Sequence, residues 1–300
     1  MVSSETILKE MKSLQNNEYL PPGYVAFHTD LFQEQLLAKA RLRGHTLLKN
    51  IPAKNMEQKV GAGVHVLDLD QIHYTGEPLD ALFDTICDLI ETYGNWDSTQ
   101  TERLKGARKE DRLNTGTLMT RAALKDIRYF ESLSQSLGVE METLYYVGLQ
   151  IGKPLFELFA ENVEGKIDRG LWKEGLCPVC GQEPAIARLE REEGRRLLHC
   201  WLCGTDWAFP RLQCPFCLND DQKTLRFFFF EEDSPYRVDV CEVCKRYLKA
   251  IDERKLGEEQ EVHLEVEQIG TIFLDIMASN DGYEGPQFQM FDTEKERVPS

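Results

Sequence analysis

Eight of the nine cysteines fall into four Cys-x-x-Cys pairs, at 177/180, 200/203, 214/217 and 241/244, and the ninth, Cys87, stands alone. Two thiolates separated by two residues can face one ion from a single tight turn, and a second pair then completes a tetrahedron. The intervals between pairs are 19 residues for Cys180 to Cys200 and 23 for Cys217 to Cys241. The first lies within the usual zinc-site spacing and the second just beyond it, where a longer hairpin accommodates it. This spacing predicts two separate tetrathiolate sites. One is Cys177, Cys180, Cys200 and Cys203; the other is Cys214, Cys217, Cys241 and Cys244. The opening MVSSETILKEMKSLQNNEYLPPGY has no apolar run of signal-peptide length, so a cytoplasmic, reducing location is expected, where metal ligation is favoured over disulfides.

Other cysteine chemistry fits less well. A thioredoxin-type pair would not need four knuckles, no pair is followed by the His of a haem attachment site, and the closely spaced ferredoxin run is absent. Four thiolates suit zinc or a single rubredoxin-like iron and leave no coordination position for substrate, which points to structural or redox metals. Gly181 and Gly204 follow the last cysteine of the first two knuckles, where positive φ turns amides toward sulfur. Leu218 and Lys245 hold those places in the second unit and predict less regular knuckles there. His199 is read as a strand residue or a neighbour of the ligands rather than a ligand. Cys87 is read as a small buried apolar residue. The Glu-rich runs at 190–193, 231–233 and 258–261 are read as turns and solvated surface, and no catalytic residue is assigned. Gly61-x-Gly63 lacks the third glycine and preceding strand of a dinucleotide loop.

The cysteines must be positioned by an internal repeat of knuckle, strand, turn, strand and knuckle. Its first copy runs through AIARLER and RRLLH, its second through TLRFFFF and YRVDV. FFFF at 227–230 is expected to be a strand covered on both faces, or a patch covered by a partner. Residues before about 170 read as helices. TDLFQEQLLAKARLRGH has Asp30 as a cap, Leu31, Leu36, Leu37 and Ala40 on one face, and Gly44 as its end. EPLDALFDTICDLIETYGNW carries Pro78 in its first turn and an apolar face from Leu79 to Tyr93, ending at Gly94. LMTRAALKDIRYFESLSQSL is helical, METLYYVGLQIGKPLFELFAENV is kinked or divided at Pro154, and 61–74 is strand-like or irregular. The expected fold is α+β, with a helical domain at 1–170, one Cys₄ module at 171–210 and a second at 211–300 with a helical tail. The 300 residues carry 35 basic and 51 acidic side chains, a net charge of −16, which argues against a nucleic-acid partner. No stretch approaches the ~18 apolar residues of a membrane span.

LWKEGLCPVCGQEP, LLHCWLCGTDW, LQCPFC, CEVCKRYLKAID and IFLDIMASNDGYEGPQFQMF, in that order, resemble the formate dehydrogenase accessory protein family FdhE. The helical lead-in LYYVGLQIGKPLFELFAENV is also similar, so the resemblance covers residues 143 to 292. It implies a helical domain followed by rubredoxin-like or zinc-ribbon-like modules, with the eight paired cysteines carrying iron or zinc. It further implies a protein that is not itself an enzyme and assists maturation of the molybdenum- or tungsten-containing catalytic subunit of formate dehydrogenase. That subunit is the expected partner, met through the metal modules and the junction near Trp172, and a homo-oligomer is also compatible. The alternatives are a rubredoxin-like electron carrier acting on the client's active site and a zinc-ribbon adaptor. A nucleic-acid role for the latter is opposed by the acidic charge balance.

Overall fold

The computed structural model describes residues 4–43, 55–72, 74, 76–93, 98–232, 234–258 and 260–286. Among these, residues 69–152 form one compact unit, and residues 4–68 with 153–286 form another. The division differs from breaks at residues 170 and 210, because the first helices and the end of a long helix group with the β region.

The N-terminal helices of the larger unit are α1 (Ser4–Ser13), α2 (Tyr24–Leu42) and α3 (Met56–Gly61). Helix α2 starts after Gly23, which sits at φ +77°, so Asp30 lies inside the helix and does not cap it. The earlier start sets a buried stripe of Val25, Leu31, Ala38 and Leu42, which leaves Leu36 half-buried and Leu37 and Ala40 exposed. Gly44 and Gly94, the expected helix ends, lie outside the described residues. The described residues of 61–74 contain no strand. Val66 and Leu67 there donate backbone hydrogen bonds to Pro178 and Val179 of the first knuckle, at 2.9 Å each.

The smaller unit contains α4 (Glu77–Tyr93), α5 (Ser98–Lys109), α6 (Thr115–Ala123), α7 (Ile127–Leu137) and the start of α8 (Met141–Val163). Helix α4 buries Leu79, Leu82, Phe83, Ile86 and Ile90, while Tyr93 is exposed. Cys87 is fully buried on that face, and desolvation pushes its thiol up to about 12, so it serves as packing. The segment 118–137 makes two helices. Lys125 adopts φ +54° between them, and the Asp126 side chain caps α7 by accepting from the Tyr129 amide. Helix α8 runs through Pro154 undivided.

The β region is one six-stranded sheet, in the order β3 (Asp206–Ala208), β2 (Arg196–Cys200), β1 (Pro184–Leu189), β6 (Arg246–Asp252), β5 (Tyr236–Cys241), β4 (Leu225–Phe229). Each repeat is an antiparallel three-stranded meander, and the two meanders join where β1 pairs in parallel with β6. The fold is therefore α+β with both cysteine sets on a continuous sheet. Helices α9 (Leu264–Gly270) and α10 (Ile272–Asn280) cover it. Leu264 packs on Ile186 and Ile251, and Leu274 and Ala278 pack on Val238, Val240 and Tyr247. Strand β4 lies at an edge and Phe227 is 55% exposed, so the FFFF run is not covered on both faces within this chain. Among the described residues, no helix is long and apolar enough to cross a membrane.

Candidate metal centres

All four knuckles use the same backbone turn. The amide of the residue four places after the first cysteine donates back to that cysteine's carbonyl, at 2.9 Å for Gly181, 2.8 Å for Gly204, 3.0 Å for Leu218 and 2.9 Å for Lys245. All four residues are left-handed, with φ of +74°, +70°, +59° and +56°. The knuckles at Leu218 and Lys245 are thus as regular as the glycine ones, and the expected irregularity is absent. They keep the turn at the steric cost a Cβ incurs there.

The turns bring the cysteines together in the two sets expected from spacing, with all four Sγ atoms of each set within 4.8 Å of one another. Cys177 and Cys203 are 3.5 Å apart and Cys180 and Cys200 3.4 Å, while Cys214–Cys244 and Cys217–Cys241 are each 3.7 Å. These separations are too long for disulfides. A tetrahedron with metal–sulfur bonds of about 2.3 Å has edges of about 3.8 Å, so the thiols stand near the positions a bound ion requires. Burial pushes the Cys177 and Cys180 thiols well above their ordinary range. A cation would reverse this by holding all four as thiolates, the state in which zinc and iron bind.

The sets differ in access. Every cysteine of the first is buried, whereas in the second Cys217 is exposed and Cys244 half-buried. Around the first set, Lys153 of α8 donates to the Trp201 carbonyl at 2.7 Å, and Thr205 Oγ1 lies 3.1 Å from Cys203 Sγ. His199 is buried on β2 with Nδ1 2.7 Å from Asp206 Oδ1, so its ring is engaged with a carboxylate and the four sulfurs form the set alone. Burial disfavours its protonation, but Asp206 outweighs that and raises its pKa. Its Nε2 has no hydrogen-bond partner and faces Glu265 at 4.0 Å, beside a cavity of about 720 Å³ that Cys203 also lines. Trp172 is buried with its indole nitrogen donating to Leu176 O at 2.8 Å; it is an internal latch, and the exposed large apolar groups at that junction are Leu171 and Leu176.

The model of the FdhE central domain matches residues 176–211, which hold the whole first cysteine set. An FdhE homologue of Aquifex aeolicus is 27% identical over 233 residues, covering 77% of this chain and 75% of its own length. One from Haemophilus influenzae (strain PittEE) is 34% identical over 109 residues, covering 36% of this chain and 35% of its own. The chain is thus similar to FdhE proteins, in its first cysteine set and over most of its length. The crystal structure of the FdhE protein from Pseudomonas aeruginosa has the same fold, with a TM-score of 0.60 at 18% identity over 95% of this chain and 94% of that one.

Sequence reasoning missed the third strand of each repeat. β3 and β6 follow the last knuckle of their unit, where DWA and RYLKAID are short or lack strict alternation. It also missed the ion-pair network under β6. There Lys249, 3% exposed, lies 2.7 Å from Asp275 of α10, which accepts from Tyr247 Oη at 2.9 Å.

Proposed function

We propose that this chain is a maturation factor for formate dehydrogenase, which binds the immature catalytic subunit through its metal-stapled sheet and releases it once mature. Eight paired cysteines would hold two ions, iron or zinc. Four sulfurs around each ion fill its tetrahedron, so the ion braces a surface and offers substrate no open position. The observation that carries this reading is the pair of preformed four-thiol sets on one continuous sheet in a chain similar to FdhE proteins. No side chain is assigned a catalytic role.

The exposed Cys217 favours a second role. With iron bound, an exposed ligand sulfur shortens the path for an electron, and the second site would act as a one-electron carrier toward the client. With zinc, which has no redox chemistry, this role disappears.

A strain lacking the gene, complemented with wild type or with Cys180→Ser plus Cys217→Ser, tests the maturation reading. The reading predicts that the catalytic polypeptide accumulates in the deletion strain without formate oxidation, and that only wild type restores activity. Full activity in the deletion strain would overturn it.

A further inference from the structure

Beside the second cysteine set lies a cleft lined by five arginines, Arg196, Arg211, Arg226, Arg237 and Arg246, in a chain whose net charge is −16. Among the described residues its one lining carboxylate, Asp239, is already shared between Arg237 at 2.9 Å and Arg196 at 3.7 Å. Arg246 pairs with Glu183 through Nη1 and Nη2 at 2.8 and 2.7 Å, and its Nε has no hydrogen-bond partner. Arg226 reaches Glu242 only at 4.0 Å, and Glu242 also serves Lys245 and Tyr283. Among the described residues no ion pair involves Arg211. The cleft therefore holds positive charge in excess.

The guanidinium groups are also held in place. Arg246 lies 3.9 Å from the ring centroid of Phe216, Arg237 4.8 Å from that of Phe227 and Arg196 5.2 Å from that of Phe209. Arg196 is 3% exposed; its Nη2 donates to the Pro210 and Gln213 carbonyls, and its Nε alone has no hydrogen-bond partner. A buried, charged donor left unpaired is costly, and an oxyanion is its natural acceptor. The cavity volume of about 150 Å³ is smaller than a pocket for a whole organic ligand, ~300 Å³ upward, and suits one anionic group.

We propose that this cleft binds an oxyanion, the phosphate or carboxylate group of a ligand or client, next to the second metal centre. The competing explanation is that the arginines only offset thiolate charge, since Cys214 and Cys241 line the same cleft.

The test is calorimetric titration of full-length, metal-loaded protein with inorganic phosphate and, separately, glutarate, against a chloride background of equal ionic strength. The variants are Arg211→Gln and Arg226→Gln, both at exposed positions where folding is not at stake. We expect one equivalent of anion to bind and each variant to weaken it by about threefold to tenfold, the loss of one charge-assisted hydrogen bond. Metal content should be unchanged. Preference for phosphate identifies a phosphoryl ligand and preference for glutarate a carboxylate; either supports the site. No binding above chloride, or variants that bind as tightly as wild type, would overturn it and leave charge compensation as the role of the cluster. Because no client is present, the result is independent of the maturation reading.

Discussion

Replacing Leu218 and Lys245 with glycine should tighten the second metal site without touching a ligand. Both residues sit in the left-handed region, at φ +59° and +56°. A side chain costs about 1–2 kcal/mol there. Glycine removes that cost but gives back about 0.5–1 kcal/mol in unfolded-chain entropy. The net gain is about 0.5–1 kcal/mol per position, and because knuckle geometry and metal binding form together it appears as metal affinity. For the double variant this is about a fivefold to thirtyfold lower dissociation constant. Competition against a chromophoric chelator would resolve it, with the first site as internal reference. The reverse changes supply a graded control. Gly204→Lys places its Cβ more than 4 Å from other groups and costs only the backbone strain, whereas at Gly181 a Cβ meets His65 Nδ1 at 2.8 Å, so Gly181→Leu weakens the first site more. Weaker binding in the glycine variants, or an equal cost at Gly181 and Gly204, would refute the reasoning.

Asp275→Ala should destabilise the protein by about 3–5 kcal/mol in chemical denaturation, because it strands the buried Lys249 ammonium. Lys249→Met with Asp275→Leu should recover most of that loss. Chelation should release ions in two phases, with Cys217 labelled by a thiol reagent before Cys177, since Cys217 is exposed and the whole first set buried; simultaneous release would contradict the difference in access. Burial opposes ionisation of Glu157, but Lys153 and Lys39 outweigh it and lower its pKa. Its contribution is therefore fully present above the unfolded value of about 4.3 and is lost as pH falls through the lower folded value. The stability gap between wild type and Glu157→Gln should be constant near neutrality and close in that acid window.

The cysteine sets were legible because each knuckle is local and each hairpin joins its own ends, so spacing alone decides which thiols meet. The helices with strong apolar faces, such as the Leu79–Ile90 stripe, were legible for the same reason. What was not legible is non-local. The parallel pairing of β1 with β6 joins residues about sixty positions apart and turns two expected modules into one sheet, and no turn signal marks it. Leu218 and Lys245 are misleading because their side chains disfavour a left-handed turn, whereas the cysteine geometry dictates the turn and the residue bears the strain. Asp30 misled because a good capping residue also lies comfortably inside a helix that begins earlier, at Tyr24. The arginine cleft draws its charges from positions 196 to 246, and only the sheet collects them.

The central claim is discrimination between client states, since a maturation factor accomplishes only what its differential affinity permits. Full-length, metal-loaded protein should be titrated against the formate dehydrogenase catalytic subunit prepared without its molybdenum or tungsten cofactor, and against the mature subunit. The account predicts binding of the immature form at least about tenfold more tightly, a typical coupling energy between two states. Equal affinity for both forms, tighter binding of the mature subunit, or no binding to either would contradict it.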